Sequence, residues 1–162
     1  LAPEHGVRGD KAAGEVFSDS VDAPSGLRVK SLYRPGSKRL TRETASEFDT
    51  LVYDIQDVGC RYYTFISTLK IALEDCAANG KRLVVLDRPN PLGPSIEGCV
   101  LDREVGSFVG CYDIPARYGL SCGEFALRLR AARRPMRGAD AGDELPRLGQ
   151  AVGHAQPRDA AL

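Results

Sequence analysis

The chain has 162 residues, 43% of them hydrophobic, and its 22 Lys and Arg are balanced by 22 Asp and Glu. That is long enough for one domain with its own core, and a formal net charge of zero supplies no basic field for nucleic acid or anionic lipid. No apolar run approaches the roughly 18 residues of a membrane-spanning helix, and five irregularly spaced cysteines without a C-x-x-C pair fit neither a disulfide framework nor a zinc site.

The sequence opens Leu1-Ala2-Pro3-Glu4, without Met, as if cut from something longer. The compartment is therefore not read from this end. Residues 1–26 are polar and Gly-rich and predict a loop, with a short helical turn around Lys11 to Phe17. Asp22-Ala23-Pro24-Ser25-Gly26 is turn chemistry. Leu27 to Tyr33 alternates apolar and polar residues and predicts a strand. Thr41 to Glu47 predicts a short helix.

The stretch Leu51 to Tyr63 is central. Leu51 to Ile55 is a near-continuous apolar run, as in a strand covered on both faces. It breaks at Gly59. From Tyr62 the period changes: Tyr62, Phe65, Ile66, Leu69, Ala72, Leu73 and Cys76 share one helical face. Asn79-Gly80 is a helix stop. Arg82 to Asp87 predicts a second buried strand. Strand, helix and strand in this order make a βαβ unit.

Residues 89–117 are Pro- and Gly-rich and predict an extended insertion over the carboxyl edge of the sheet. Ser121 to Arg130 predicts a helix, with Ser121 and Glu124 spaced as a capping box. From Ala131 to Leu162 the residues are mostly Ala, Arg, Gly, Pro and Asp, with no aromatic side chain. Such a composition buries too little surface to fold alone. It is also what GC-rich coding sequence gives out of frame. Codons for Val152 to Ala160, read one base later, can spell Trp-Val-Met-Pro-Ser-Pro-Glu-Met. A frameshifted or disordered tail over 131–162 is the expectation, because this segment alone breaks the local consistency of the rest.

Three stretches concentrate polar chemistry where loops leave strands, the usual ligand position in open α/β sheets. Glu4-His5, between Pro3 and Gly6, suits general acid/base work; a solvated loop would use the same residues. Asp54, Gln56, Asp57, Arg61 and Tyr63 could bind a sugar or carboxylate, since Arg pairs bidentately. They could equally form a structural network in which Arg61 neutralises Asp57. Asp87, Arg88 and Asn90 end the next strand. Asp87 could face Asp54, and two carboxylates would serve glycosidic cleavage, or Asp87 and Arg88 could simply close a turn. Gly119-Leu120-Ser121-Cys122-Gly123 matches the G-x-S-x-G elbow of serine esterases. The only downstream histidine is His154, and a helix-capping role explains Ser121 fully.

Taken together, Pro-Glu-His-Gly-Val-Arg-Gly, Leu-Val-Tyr-Asp-Ile-Gln-Asp-Val-Gly-Cys-Arg-Tyr-Tyr-Thr-Phe-Ile-Ser-Thr-Leu and Leu-Asp-Arg-Pro-Asn-Pro-Leu-Gly resemble the bacterial exo-β-N-acetylmuramidases, glycoside hydrolase family 171. Ile114-Pro-Ala-Arg-Tyr-Gly-Leu120 and Cys122-Gly-Glu-Phe-Ala126 continue the resemblance, which covers about residues 1–130. It implies an α/β fold: a Rossmann-like sheet with flanking helices, here the incomplete amino-terminal domain of a two-domain family. It implies removal of N-acetylmuramic acid from non-reducing ends of peptidoglycan fragments, and an extracytoplasmic location. By motif, Glu4 is the catalytic candidate with His5 in support. Arg8, Asp54, Gln56, Asp57, Arg61, Tyr63, Asp87, Arg88 and Asn90 would line the sugar pocket. Arg61 or Arg88 would pair with the lactyl carboxylate of muramic acid. No metal or organic cofactor is implied. The family's first strand and helix, and its second domain, have no counterpart in this chain. The 162 residues alone are therefore expected to be poorly stable and inactive. A non-catalytic domain for cell-wall sugar is the alternative.

Overall fold

The computed structural model describes residues 1–132. In chain order its elements are β1 (Ser20–Val21), β2 (Arg28–Val29), α1 (Arg42–Ser46), β3 (Thr50–Tyr53), α2 (Phe65–Ala78), β4 (Arg82–Val85), β5 (Glu97–Val100), a 3-10 turn (Arg103–Val105), β6 (Pro115–Arg117) and α3 (Cys122–Ala132). The expected βαβ unit is present: β3 and β4 pair in parallel, Thr50 opposite Arg82 through Tyr53 opposite Val85. Between them α2 turns Ile66, Leu69, Ala72 and Cys76 inward. It stops at Asn79, with Gly80 in the left-handed region at φ +63°, where glycine carries no Cβ penalty.

Most of the buried apolar side chains form one cluster, with Ala2, Val29, Tyr33 and Ala45 buried outside it. Tyr53, Leu83 and Val85 from the strands meet the inward face of α2, and Phe125, Ala126 and Leu129 of α3 close over it with Ile114 and Tyr118. Phe125 and Leu69 are fully buried, and each such side chain contributes about 1.5–3 kcal/mol. Tyr112 and Tyr118 pack against the Phe125 ring, the former edge-on at 5.7 Å. Cys76 and Cys122 belong to this cluster, and burial pushes each thiol up to about 11. All five cysteines are free.

Several expectations are revised. The strands form three separate two-stranded sheets, β1–β2, β3–β4 and β5–β6, rather than one Rossmann-like sheet. The reason is local. The segment Leu27 to Tyr33 does not run as one strand: Arg28–Val29 pairs back on Ser20–Val21, and only Ser31 continues, bridging Ala2 in parallel. β5 and β6 pair antiparallel with a register shift, and so extend no parallel sheet. Val52 is 52% exposed, so one face of β3 stays open. Tyr62 precedes α2 and is exposed instead of lying on its apolar face. Residues 11–17 are irregular, with one turn closed by the Glu15 N–H on the Ala12 carbonyl at 3.1 Å. The short helix after Thr41 does form, capped by that residue's hydroxyl on the Thr44 N–H. Helix α3 runs through Ala132, and the tail expectation, His154 included, otherwise lies outside the described residues.

Among the described residues no helix is long and apolar enough to cross a membrane.

Candidate active site

Glu4 and His5 occupy the two central positions of a turn closed by the Gly6 N–H on the Pro3 carbonyl at 3.1 Å. His5 has φ +68°, a region that costs a side chain with a Cβ roughly 1–2 kcal/mol. Its Nδ1 donates to the Lys11 carbonyl at 2.8 Å. A carbonyl can only accept, so a neutral His5 ring carries its proton on Nδ1 and leaves Nε2 as an acceptor.

Glu4 is buried, yet it is well supplied with donors. The Gly14 N–H donates to Oε1 at 2.8 Å, the Tyr33 hydroxyl to Oε2 at 3.1 Å, and the Thr64 hydroxyl also to Oε2. Burial pushes the carboxyl up, but the bonds from Thr64, Gly14 and Tyr33, with the neighbouring His5, outweigh it and hold Glu4 below its ordinary value. Burial pushes the Tyr33 phenol well up, so it stays a donor.

Glu4 and His5 open into a cleft of about 470 Å³ with Asp54 and Gln56 from the end of β3. The rest of its lining includes Leu1, Leu32, Leu51, Val52 and Phe65. Polar groups thus meet an apolar wall, the usual character of a small-molecule site. Asp54 forms an ion pair with Arg88, both about half exposed. Gln56 donates through Nε2 to its neighbour's carbonyl at Asp57, 2.8 Å away.

The structure uses four of the expected pocket residues as supports. The guanidinium of Arg61 is buried and donates to the carbonyls of Cys99 at 2.8 Å and Ile114 at 2.5 Å, which pins β5 and β6 to the loop after β3. Asp57 is buried and accepts from the Gly59 N–H at 2.8 Å and from the Tyr118 hydroxyl; burial raises its carboxyl, outweighing the bonds from Tyr118, Gly59 and the Val58 backbone. Asn90 donates to the Leu120 carbonyl at 3.0 Å and accepts from the Leu92 N–H at 2.9 Å. Its amide fills the space where a Gly59 Cβ would stand, and Gly59 sits at φ +80°. Asp87 does not pair with Asp54. It accepts from the Ser121 hydroxyl at 2.7 Å and the Gly123 N–H at 2.7 Å, and so caps α3.

Ser121 also completes its capping box. Its N–H donates to Glu124 Oε2 at 2.9 Å, and its Oγ accepts from the Glu124 N–H at 3.2 Å. A hydroxyl so engaged, with no imidazole partner among the described residues, explains the G-x-S-x-G match without an esterase. Arg8 forks Asp22 at 2.8 and 2.6 Å on the surface and does not itself line the cleft, although Val7 and Gly9 do. Tyr63 is 50% exposed and does not line the cleft. Sequence reasoning missed Thr64, Tyr33 and Tyr118 as partners of the acidic groups. Thr64 sat inside a quoted motif, but nothing in its spacing pointed 60 residues back to Glu4.

Residues 1–137 match the family model described as exo-beta-N-acetylmuramidase NamZ, N-terminal. The chain is 48% identical over 127 residues to the peptidoglycan beta-N-acetylmuramidase NamZ of Bacillus subtilis strain 168, a match covering 78% of this chain and 30% of that relative. Two crystal structures of DUF1343 family proteins from Bacteroides fragilis NCTC 9343 are similar. One has TM-score 0.71 and 48% identity, covering 81% of this chain and 32% of that one. The other has TM-score 0.64 and 34% identity, covering 70% and 30%. The chain thus spans about a third of the length of these relatives.

Proposed function

The chain belongs to the exo-β-N-acetylmuramidase NamZ amino-terminal family, and from that premise we propose that it carries the carboxylate wall of a glycosidase site. The site would release N-acetylmuramic acid from non-reducing ends of peptidoglycan fragments. One observation carries this reading: Glu4, His5, Asp54 and Gln56 line a single cleft. Glu4 is the catalytic carboxylate, His5 offers Nε2 beside it, and Asp54 and Gln56 bind sugar hydroxyls. Arg88, half exposed on Asp54, is the guanidinium available to a lactyl carboxylate, because Arg61 is buried on two carbonyls. Asp57, Asp87 and Asn90 are engaged by partners outside the lining of this cleft, and their part is structural. The β3–α2–β4 unit is the nucleus of a Rossmann-like sheet in the longer family members, and a peptidoglycan substrate favours an extracytoplasmic site of action.

The test is hydrolysis of a chromogenic β-N-acetylmuramide by this chain and by a full-length family member, each with and without Glu4→Gln or its equivalent. Turnover that disappears with the substitution while sugar binding persists supports the enzyme. Unchanged turnover removes Glu4 from the chemistry. Binding without turnover in a folded full-length member favours a non-catalytic sugar-binding domain instead.

A further inference from the structure

Glu4 is reached by donors from three separate parts of the chain. Gly14 follows in its own loop, Tyr33 comes from the segment after β2, and Thr64 is the N-cap residue of α2. The Tyr33 ring is braced in turn. Phe108, from the insertion between β5 and β6, meets it edge-on at 5.9 Å. The Phe108 carbonyl accepts from the Ser67 hydroxyl on α2 at 2.6 Å. Lys38 lies over both rings, 5.1 Å from Tyr33 and 4.8 Å from Phe108.

These contacts form a closed circuit. It runs from α2 through Thr64 to Glu4, on to Tyr33 and Phe108, and back to α2 through Ser67. Nothing in it is needed merely to satisfy the backbone of the Pro3–Gly6 turn, which closes its own hydrogen bond. What the circuit fixes is the direction and charge of one carboxylate.

We propose that Thr64 and Tyr33 are positioning residues that aim Glu4 before substrate arrives, with Phe108 as the brace that lets the insertion set the Tyr33 ring. Three donors satisfy three of the roughly four lone-pair sites of a carboxylate. The oxygen that takes only Gly14 keeps a position for a ligand. A carboxylate in this state can accept a proton or approach an electrophilic carbon; it has no proton to give. A general acid resting in an apolar pocket would be raised instead. The significance of this assignment for turnover rests on the muramidase reading; the assignment itself does not. The titratable groups facing Glu4 are His5 from its own turn and Tyr33 across from it.

The test is a titration of the Glu4 side-chain carboxyl by carbon-13 NMR in the full chain, read together with the Gly14 amide shift. Wild type is expected to titrate below the ordinary 4.5, with the Gly14 amide following the same curve. Thr64→Val removes the hydroxyl at near-constant volume and is expected to move the midpoint up, as is Tyr33→Phe. Thr64→Ser is expected to restore it. A Glu4 midpoint at or above 4.5 in wild type overturns the proposal, and so does a midpoint that ignores Thr64→Val. If Thr64→Val fails to fold, Tyr33→Phe supplies the same readout, and a midpoint that ignores it overturns the proposal too. Loss of muramide hydrolysis in every family member, alongside the lowered Glu4 midpoint, would discard the functional reading and leave the positioning role standing.

Discussion

Gly123 donates its backbone N–H to Asp87 Oδ1 at 2.7 Å, and a Cβ on Gly123 would lie 2.5 Å from Asp87 Oδ2. The carboxylate at the end of β4 and the first turn of α3 are fitted to each other without room for a methyl group. Gly123→Ala is expected to push Asp87 off the helix and cost about 1–3 kcal/mol through the lost cap and its unpaired donors. Asp87→Asn keeps one acceptor and is expected to cost less. Urea denaturation of both variants beside wild type measures the order; equal midpoints would show that α3 needs no cap from β4.

Arg61 is expected to be structural before it is anything else. Arg61→Met takes one donor from the Cys99 carbonyl and one from the Ile114 carbonyl, which keeps the Leu101 N–H at 3.2 Å, at about 1–3 kcal/mol in all if the vacated site stays dry. Amide hydrogen exchange is expected to rise across residues 97–117 and to change little in α2. Exchange that rises evenly throughout would mean that Arg61 supports the whole core and not this insertion.

Glu4 and Asp57 are expected to pull stability in opposite directions with pH. Glu4 lies below its ordinary 4.5, so its contribution is present above that value and is lost as pH falls through the lowered one. Asp57 lies above its ordinary 3.8. The folded state there holds the proton longer, so stability falls as pH rises from that value through the raised one. Glu4→Gln is expected to cost stability at neutral pH and to approach wild type in acid. Asp57→Asn is expected to gain on wild type as pH rises. Denaturant midpoints across the acid range check both slopes.

If Arg88 takes the lactyl carboxylate, Arg88→Gln is expected to weaken binding of N-acetylmuramic acid about 10- to 100-fold, the worth of a charge-assisted pair. N-acetylglucosamine lacks that carboxylate, and its binding is expected to hold. Calorimetry with both sugars on a binding-competent family member separates the cases. An equal loss for both would assign Arg88 to holding Asp54.

What was legible in the sequence follows the range of each signal. The α2 face, the stop at Asn79-Gly80 and the Ser121–Glu124 box are local patterns within a few residues, and each stands in the structure. The parallel pairing of β3 and β4 followed from two apolar runs and the helix between them. The fate of polar residues was another matter. Asp54, Gln56, Glu4 and His5 do share a cleft, but Asp57, Arg61, Asp87 and Asn90 turn to partners 2 to 61 residues away in sequence. Composition cannot distinguish a carboxylate that lines a cleft from one that caps a helix. The segment Leu27 to Tyr33 alternated as a strand should, yet alternation does not say whether a neighbour lies alongside the whole length. The continuous sheet failed at that point.

The insertion between β4 and α3 leaves and returns through one narrow neck. Asp87 is bonded to Ser121, 34 residues on, and Asn90 to the Leu120 carbonyl, 30 residues on. Because the neck is tied by its own side chains, the entropy of closing the span is met there, and doubling a flexible loop adds only about 0.6 kcal/mol. Beyond the neck, Arg61 holds Cys99 and Ile114 again, so length can change only in the loops between these ties. No residue of that span lines the cleft, so a change of length there would leave the lining around the Glu4 carboxylate as it is.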